Sequence, residues 1–169
     1  MAEFHYVAPS SVETAVSLLQ DTEHPALPLA GGTRLLPDIR ANRIQAGTLI
    51  DLRYLASLKG IRFEHNHIEI GARTTLAELE QSELLQEKLP LLTQMSRDFA
   101  NPLIRSSATI GGNIASRMPI ADAVVPLLAL NAMLSLQTAS GETWQRPLAS
   151  FLTVATPHTP LRVLITRVN

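Results

Sequence analysis

Leu29-Ala30-Gly31-Gly32-Thr33-Arg34-Leu35-Leu36-Pro37 and Ala108-Thr109-Ile110-Gly111-Gly112-Asn113-Ile114-Ala115 together hold half of the 8 glycines in this 169-residue chain. Each stretch couples a doubled glycine to a hydroxyl residue and borders an apolar segment. Ala26 to Ala30 is a short apolar run ended by Gly31-Gly32 and reads as a buried strand. Leu35 to Ile39 opens a brief helix, and Thr48 to Leu52 is a second buried strand, which completes a β-α-β unit. Glycine permits positive φ and lets a ligand approach the main chain without a Cβ in the way. Successive amides in such a turn form a small anion-binding concavity, and a helix start adds partial positive charge. Thr33 contributes a hydroxyl. Thr109-Ile110-Gly111-Gly112-Asn113 repeats this chemistry, so two such nests can grip the two phosphates of one diphosphate from opposite sides. Taken singly, each Gly-Gly also reads as a plain turn. The fingerprint G-x-G-x-x-G is absent, which disfavours a dinucleotide-binding Rossmann unit on spacing alone.

Outward from these motifs the chain reads as α+β. Ser10-Ser11-Val12-Glu13 is a capping box, followed by Val12, Ala15, Val16 and Leu19 at helical spacing. Ile61 to His65 and His67 to Ile70 alternate around Asn66 as an antiparallel hairpin. Thr75-Leu76-Ala77-Glu78 is a second capping box, with its helix running towards Gln81. Leu84 to Phe99 continues as helix, Pro90 marking a new first turn or a kink, and Asn101-Pro102 stops it. Leu103 to Ser116 has little helical periodicity. Pro119 to Leu130 reads as a buried helix with Pro126 interrupting its hydrogen bonding. Met133 to Thr138 and Glu142 to Arg146 pair across Ser140-Gly141, and Leu161 to Val168 is a last strand.

Composition narrows the function classes. The chain is 46% apolar and 17% charged, which argues against disorder, and no stretch approaches the apolar length of a membrane span. A formal charge of −1 leaves no footprint for nucleic acid. With no cysteine, the chain can hold neither a disulfide nor an iron–sulfur cluster, so redox chemistry rests on an organic cofactor or a partner chain. The N-terminal residues lack the n- and h-regions of a signal peptide, which makes a cytoplasmic location the expectation. Neither lysine, Lys59 or Lys88, lies in a P-loop. Gly-x-Ser-x-Gly is absent, which leaves hydrolase chemistry unsupported. His65-x-His67 reads as a solvent-side pair with no third metal ligand nearby, and Glu78, Glu80, Glu83 and Glu87 as a solvated helix face. Arg34, Arg105 and Arg117 lie beside the nests, placed either to neutralise a diphosphate or simply to face solvent.

The two glycine motifs resemble the FAD-diphosphate motifs of the molybdenum hydroxylase flavoprotein subunit, the family of the carbon monoxide dehydrogenase medium subunit and the xanthine dehydrogenase FAD domain. Phe99, Ile104-Arg105, Pro119, Asp122 and the run Ala123 to Leu130 fall at similar distances, so the resemblance spans nearly the whole chain. It implies a two-lobed α+β fold of the PCMH type, similar to vanillyl-alcohol oxidase. FAD would lie between a first lobe of about residues 1–54 and a second of about 55–169. Leu29, Ala30, Gly31, Gly32, Thr33, Arg34, Leu35 and Leu36 would wrap the adenine-side and diphosphate region. Thr109, Ile110, Gly111, Gly112 and Asn113 would hold the diphosphate and ribityl side. Phe99 and Asp122 match cofactor-touching positions. From its own chemistry, Phe99 reads as core, and Asp122 either as a helix-start charge or as an acceptor for ribose or ribityl hydroxyls. The implied role is electron transfer from [2Fe–2S] clusters of a small subunit to FAD and on to NAD⁺ or another acceptor, with substrate oxidised at a molybdopterin centre in a large subunit. No side chain is expected to act as nucleophile or general base. Ser106 and Arg117-Met118 depart from the family's usual Asn and small-residue–Ser. The family's C-terminal domain is absent from this sequence. The alternative reading is a shortened assembly module that keeps the fold and binds FAD weakly or not at all.

Overall fold

The computed structural model describes residues 4–21, 26–45, 47–118, 121–154 and 163–169. Pro119 and the start of the expected last strand, Leu161 and Arg162, lie outside them. Two sheets form. The first orders β1 (His5–Val7), β3 (Thr48–Asp51) and β2 (Ala26–Leu29) as β1-β3-β2, all parallel, with α2 (Leu35–Arg40) crossing from β2 to β3. The expected β-α-β unit is therefore present, and β1 is an addition that a three-residue exposed strand did not announce.

The second sheet is antiparallel: β4 (Ile61–Glu64), β5 (His67–Gly71), β8 (Leu164–Val168), β6 (Met133–Gln137) and β7 (Thr143–Pro147) stand side by side in that order. Both expected hairpins form. His65 and Asn66 turn the first with φ of 50° and 65°, the left-handed pair a tight two-residue hairpin needs. His65 thus sits in the turn rather than on a strand face, and its ring stacks on His67 at 6.3 Å. The last strand, β8, is the central strand of this sheet.

Helices cover the second sheet. Thr75 caps α3 (Leu76–Gln81) through the expected box: its hydroxyl accepts from the Glu78 amide at 3.2 Å and the Glu78 carboxylate accepts from the Thr75 amide at 2.9 Å. The long helix expected over Leu84 to Phe99 is two, α4 (Glu83–Lys88) and α5 (Pro90–Asp98). Leu89 takes φ −137° and ψ 59°, because the residue before a proline is pushed out of the helical region. Leu103 to Ser116, read as non-helical, holds α6 (Pro102–Arg105) and α7 (Ile110–Ala115). The expected buried helix over Pro119 to Leu130 is shorter, α8 (Val124–Ala129), so Pro126 falls in its first turn, where no amide partner is lost. Nor is it wholly buried: Val125 is 71% exposed, while Leu127 points into the core. α9 (Leu148–Val154) closes the set.

One core lies under the second sheet, with Leu76, Leu79, Leu85, Leu92, Ile110, Ile114 and Leu134 fully buried. A second cluster joins α1 (Val12–Leu18) to β3, the turn at Ala56–Leu58 and Leu164 of β8, and so ties the two sheets together. The α1 cap is Ser11, whose hydroxyl accepts from Thr14 at 3.1 Å. The box expected from Ser10 is therefore shifted by one residue, and the third helical position is Thr14 rather than Glu13. Ser11→Ala should lower stability by about 1 kcal/mol, a drop of about 2–4 °C in thermal midpoint for a chain of this size. Ser10→Ala should leave that midpoint unchanged.

Candidate functional site

Gly31 sits where β2 ends, and a Cβ there would lie 2.0 Å from the carbonyl oxygen of Ser107 and 3.2 Å from Cα of Ala108. The first glycine motif and the approach to the second are thus in backbone contact. Gly32 follows at φ 68°, a conformation that glycine adopts without strain. Beside this contact is a cleft of about 260 Å³ lined by Ala30, Gly31, Arg53, Arg73, Thr75, Ser106, Ser107 and Thr109. That is less than the ~300–1,000 Å³ enclosing a drug-sized ligand, so the cleft takes part of a larger molecule. Its walls are main chain, hydroxyls and two guanidinium groups.

The two motifs are not equivalent. In the first, the amides of Gly31, Gly32, Thr33, Arg34 and Leu35 donate to nothing among the described residues. Leu36 is the first with a partner, the Gly32 carbonyl at 3.1 Å. Five consecutive free donors around a positive-φ glycine form an open nest of the kind that holds an anion. In the second motif the amides from Ile110 on are already used. Ile110 donates to Thr74 O at 3.0 Å, Gly111 to Ala72 O at 2.8 Å and Gly112 to Thr109 Oγ1 at 3.2 Å. The expectation of a second amide nest is therefore corrected. The segment around Thr109 is laced to residues 72–76, through a Thr75–Thr109 bridge and the Leu76 amide on Ala108 O at 2.9 Å. What it still offers a ligand, among the described residues, is the Thr109 amide and hydroxyl proton and the Asn113 side-chain amide donors.

The remaining expected residues separate into neighbours of the cleft and structural groups. Leu29 is buried, and Leu35 and Leu36 pack on Ile39 and Leu49, so their side chains anchor the loop. Arg34 is turned onto Asp38, which also takes Arg43 at 2.8 Å. Burial would raise the Asp38 carboxyl, but its bonds to Arg34 and Arg43 outweigh that and hold it below the usual range. Ile110 and Gly111 are buried, and Gly112 is exposed. Asn113 Oδ1 accepts from the Ala123 amide at 3.3 Å and fixes the turn before α8. Phe99 packs against the main core, and Asp122 is exposed in that turn; neither lines the cleft.

Of the three arginines singled out from sequence, Arg105 bonds Glu80 at 3.0 Å and the Phe99 carbonyl at 3.0 Å, a knot between α3 and α6. That also takes Glu80 off the solvated face expected for it, as Lys59 does Glu78 at 2.6 Å. Burial lowers the Arg117 pKa, and Arg117 does not line the cleft.

The arginines facing the cleft are Arg53 and Arg73, which sequence reasoning passed over. Arg53 grips Asp51, whose side chain is fully buried, at 2.8 Å, and the Tyr6 hydroxyl also donates to that carboxylate. Arg73 lies in the turn that follows β5, which no periodic pattern marks, and Thr75 is the cap of α3. Ser106, noted as a family departure, is also a lining residue.

No helix among the described residues is long and apolar enough to cross a membrane. Residues 2–169 match the family described as FAD binding domain in molybdopterin dehydrogenase. The carbon monoxide dehydrogenase medium chain of Hydrogenophaga pseudoflava is 38% identical over 138 residues, 82% of this chain and 48% of that protein. The xanthine dehydrogenase FAD-binding subunit of Escherichia coli O157:H7 is 33% identical over 141 residues, 83% of this chain and 47% of that one. A solved structure of carbon monoxide dehydrogenase from H. pseudoflava superposes with a TM-score of 0.91 at 34% identity, covering 98% of this chain and 58% of its own. The chain thus spans about half the length of the curated relatives it matches. The α+β fold implied by the glycine motifs is the fold these relatives share.

Proposed function

We propose, since this chain belongs to the FAD binding domain family of molybdopterin dehydrogenases, that it holds the diphosphate of FAD in the cleft between Gly31 and Thr109. The observation that carries the reading is the run of five amides from Gly31 to Leu35 without partners among the described residues, its first member, Gly31, set against the Ser107–Ala108 backbone. A diphosphate is the part of FAD that needs such donors, and the Thr75, Ser107 and Thr109 hydroxyls supply more, while that of Ser106 already donates to Leu103 O at 2.8 Å. In this reading the cofactor lies between two lobes, about 1–54 and 55–169, each built on one of the two sheets.

The flavin, when bound, supplies reversible electron transfer that no side chain of this chain offers. The chain's own share is binding, orientation and electrostatics: backbone amides fix the diphosphate, and the ladder between residues 72–76 and 108–111 holds the opposite wall rigid. For the whole protein we propose the electron-transfer component of a molybdenum hydroxylase. Its partners would be a molybdopterin-containing large subunit and a [2Fe–2S] small subunit, with NAD⁺ or another acceptor beyond the flavin. The relatives' names, dehydrogenase medium chain and FAD-binding subunit, support this.

Titration of the purified chain with FAD, followed by quenching of flavin fluorescence and by the visible absorption retained after gel filtration, tests the reading. Saturable binding that releases intact FAD on denaturation is expected. A colourless chain that takes up no added FAD would instead support the non-catalytic module.

A further inference from the structure

We propose that Arg73 is a cofactor-binding residue whose guanidinium Nε bonds the FAD diphosphate, which makes it the charged determinant of this cleft for FAD over flavins without phosphate. The inference rests on the FAD reading above and names a residue within the same site. Arg73 is half-buried, lines the cleft, and its Nε is buried with no hydrogen-bond partner among the described residues. Buried polar groups are nearly always satisfied, and a charged donor left open in a polar cleft points to an acceptor supplied by a ligand.

The two cleft arginines differ in available charge. Arg53 is neutralised by the buried Asp51, which it meets at 2.8 Å with Nη2 and 3.0 Å with Nε. Arg73 has no carboxylate partner among the described residues; its one bond runs from Nη1 to the Arg53 carbonyl. Its positive charge is therefore uncompensated, and its planar fork suits phosphate oxygens.

Its backbone is held in place. The Arg73 amide donates to Leu58 O at 2.8 Å, and the residues on either side are tied to other elements, the Ala72 amide to Thr166 O of β8 at 3.0 Å and Thr74 O to the Ile110 amide at the start of α7 at 3.0 Å. The turn closed by the Thr74 amide on Gly71 O at 2.9 Å leaves Arg73 and Thr75 lining the cleft while Ala72 and Thr74 are buried. A cation in the same cleft as Gly31, where the run of open amides begins, is what a diphosphate requires and what an uncharged isoalloxazine does not.

The test compares wild type with Arg73→Gln in FAD and riboflavin titrations at two ionic strengths, with thermal unfolding as a check on the fold. Arg73→Gln is expected to weaken FAD about 10- to 100-fold, the size of one charge-assisted hydrogen bond. Riboflavin affinity should be unchanged, and the salt dependence of FAD binding should flatten. If Arg73→Gln does not fold, Arg73→Lys, which keeps the charge and loses the fork, carries the same comparison with a smaller expected loss. Equal FAD affinity in wild type and folded variant overturns the role of Arg73 and leaves the FAD reading standing. A wild type that binds no FAD overturns that reading first, and this inference with it.

Discussion

Gly31→Ala is expected to lose its bound flavin and to unfold about 6–12 °C earlier than wild type. The new methyl group would be placed 2.0 Å from the Ser107 carbonyl oxygen and 2.7 Å from its carbon. Both are main-chain atoms, so neither can swing aside as a side-chain tip would. Ser107 is held in turn by its amide bond to Ile104 O at 3.1 Å, and Ala108 by its own to Ile104 O at 2.7 Å. Relief therefore requires the two walls of the cleft to part. Overpacking of this kind costs about 3 kcal/mol at the upper end of its range, which gives that midpoint shift at about 2–4 °C per kcal/mol. Gly112→Ala is the comparison for stability alone, because a Cβ there meets no main chain, just the Thr109 hydroxyl at 2.8 Å, and residue 112 is exposed. Thermal unfolding should separate the two, and flavin content per chain is read for Gly31→Ala against wild type. Equal stability of both variants and wild-type flavin content in Gly31→Ala would show that the contact between the motifs does not matter.

Arg53→Met should cost about 2–3 kcal/mol near neutral pH. That is below the ~3–5 kcal/mol of a fully buried broken pair, because Arg53 itself is half-exposed. The cost arises at Asp51, whose side chain is fully buried and would keep the Tyr6 hydroxyl and the residue-53 amide as its donors. The pH dependence has a definite sign. In the wild type, burial pushes the Asp51 carboxyl up, but the bonds from Arg53 and Tyr6 outweigh it and hold its pKa below the ordinary value. A depressed folded pKa contributes stability above the unfolded value, and that contribution is lost as pH falls through the folded value. In the variant burial is opposed by the Tyr6 hydroxyl and the residue-53 amide without the guanidinium, so the folded pKa rises relative to wild type and protonation relieves part of the penalty as pH falls. The stability gap between the two proteins should therefore narrow from neutral pH to about pH 4. Urea unfolding across that range measures it. A gap independent of pH would mean that Asp51 is not held as an ion pair.

The first glycine motif was legible because strand, glycine turn and helix follow one another without interruption, and its open amides are a local property of that turn. The second misled because its chemistry is set from a distance. Nothing in Thr109-Ile110-Gly111-Gly112 announces that Ala72 and Thr74 will take its amides. Its helices, Pro102–Arg105 and Ile110–Ala115, are also too short to leave a periodic trace. Arg34 and Arg105 drew notice by being adjacent in sequence, yet each is drawn off by a nearby carboxylate, Asp38 or Glu80. Arg53 and Arg73 reach the cleft by way of β3 and β5, and no local pattern reports that placement. Pro126 was misjudged for a simpler reason: its effect depends on where the helix starts, and helix ends are poorly fixed by apolar content alone.

A crystal structure of the chain with FAD is the most direct measurement. The expected result places diphosphate oxygens within about 3 Å of amides in the Gly31–Leu35 run, with the Thr109 hydroxyl on the facing wall. FAD bound with its diphosphate away from that run, its amides still without partners, would contradict it.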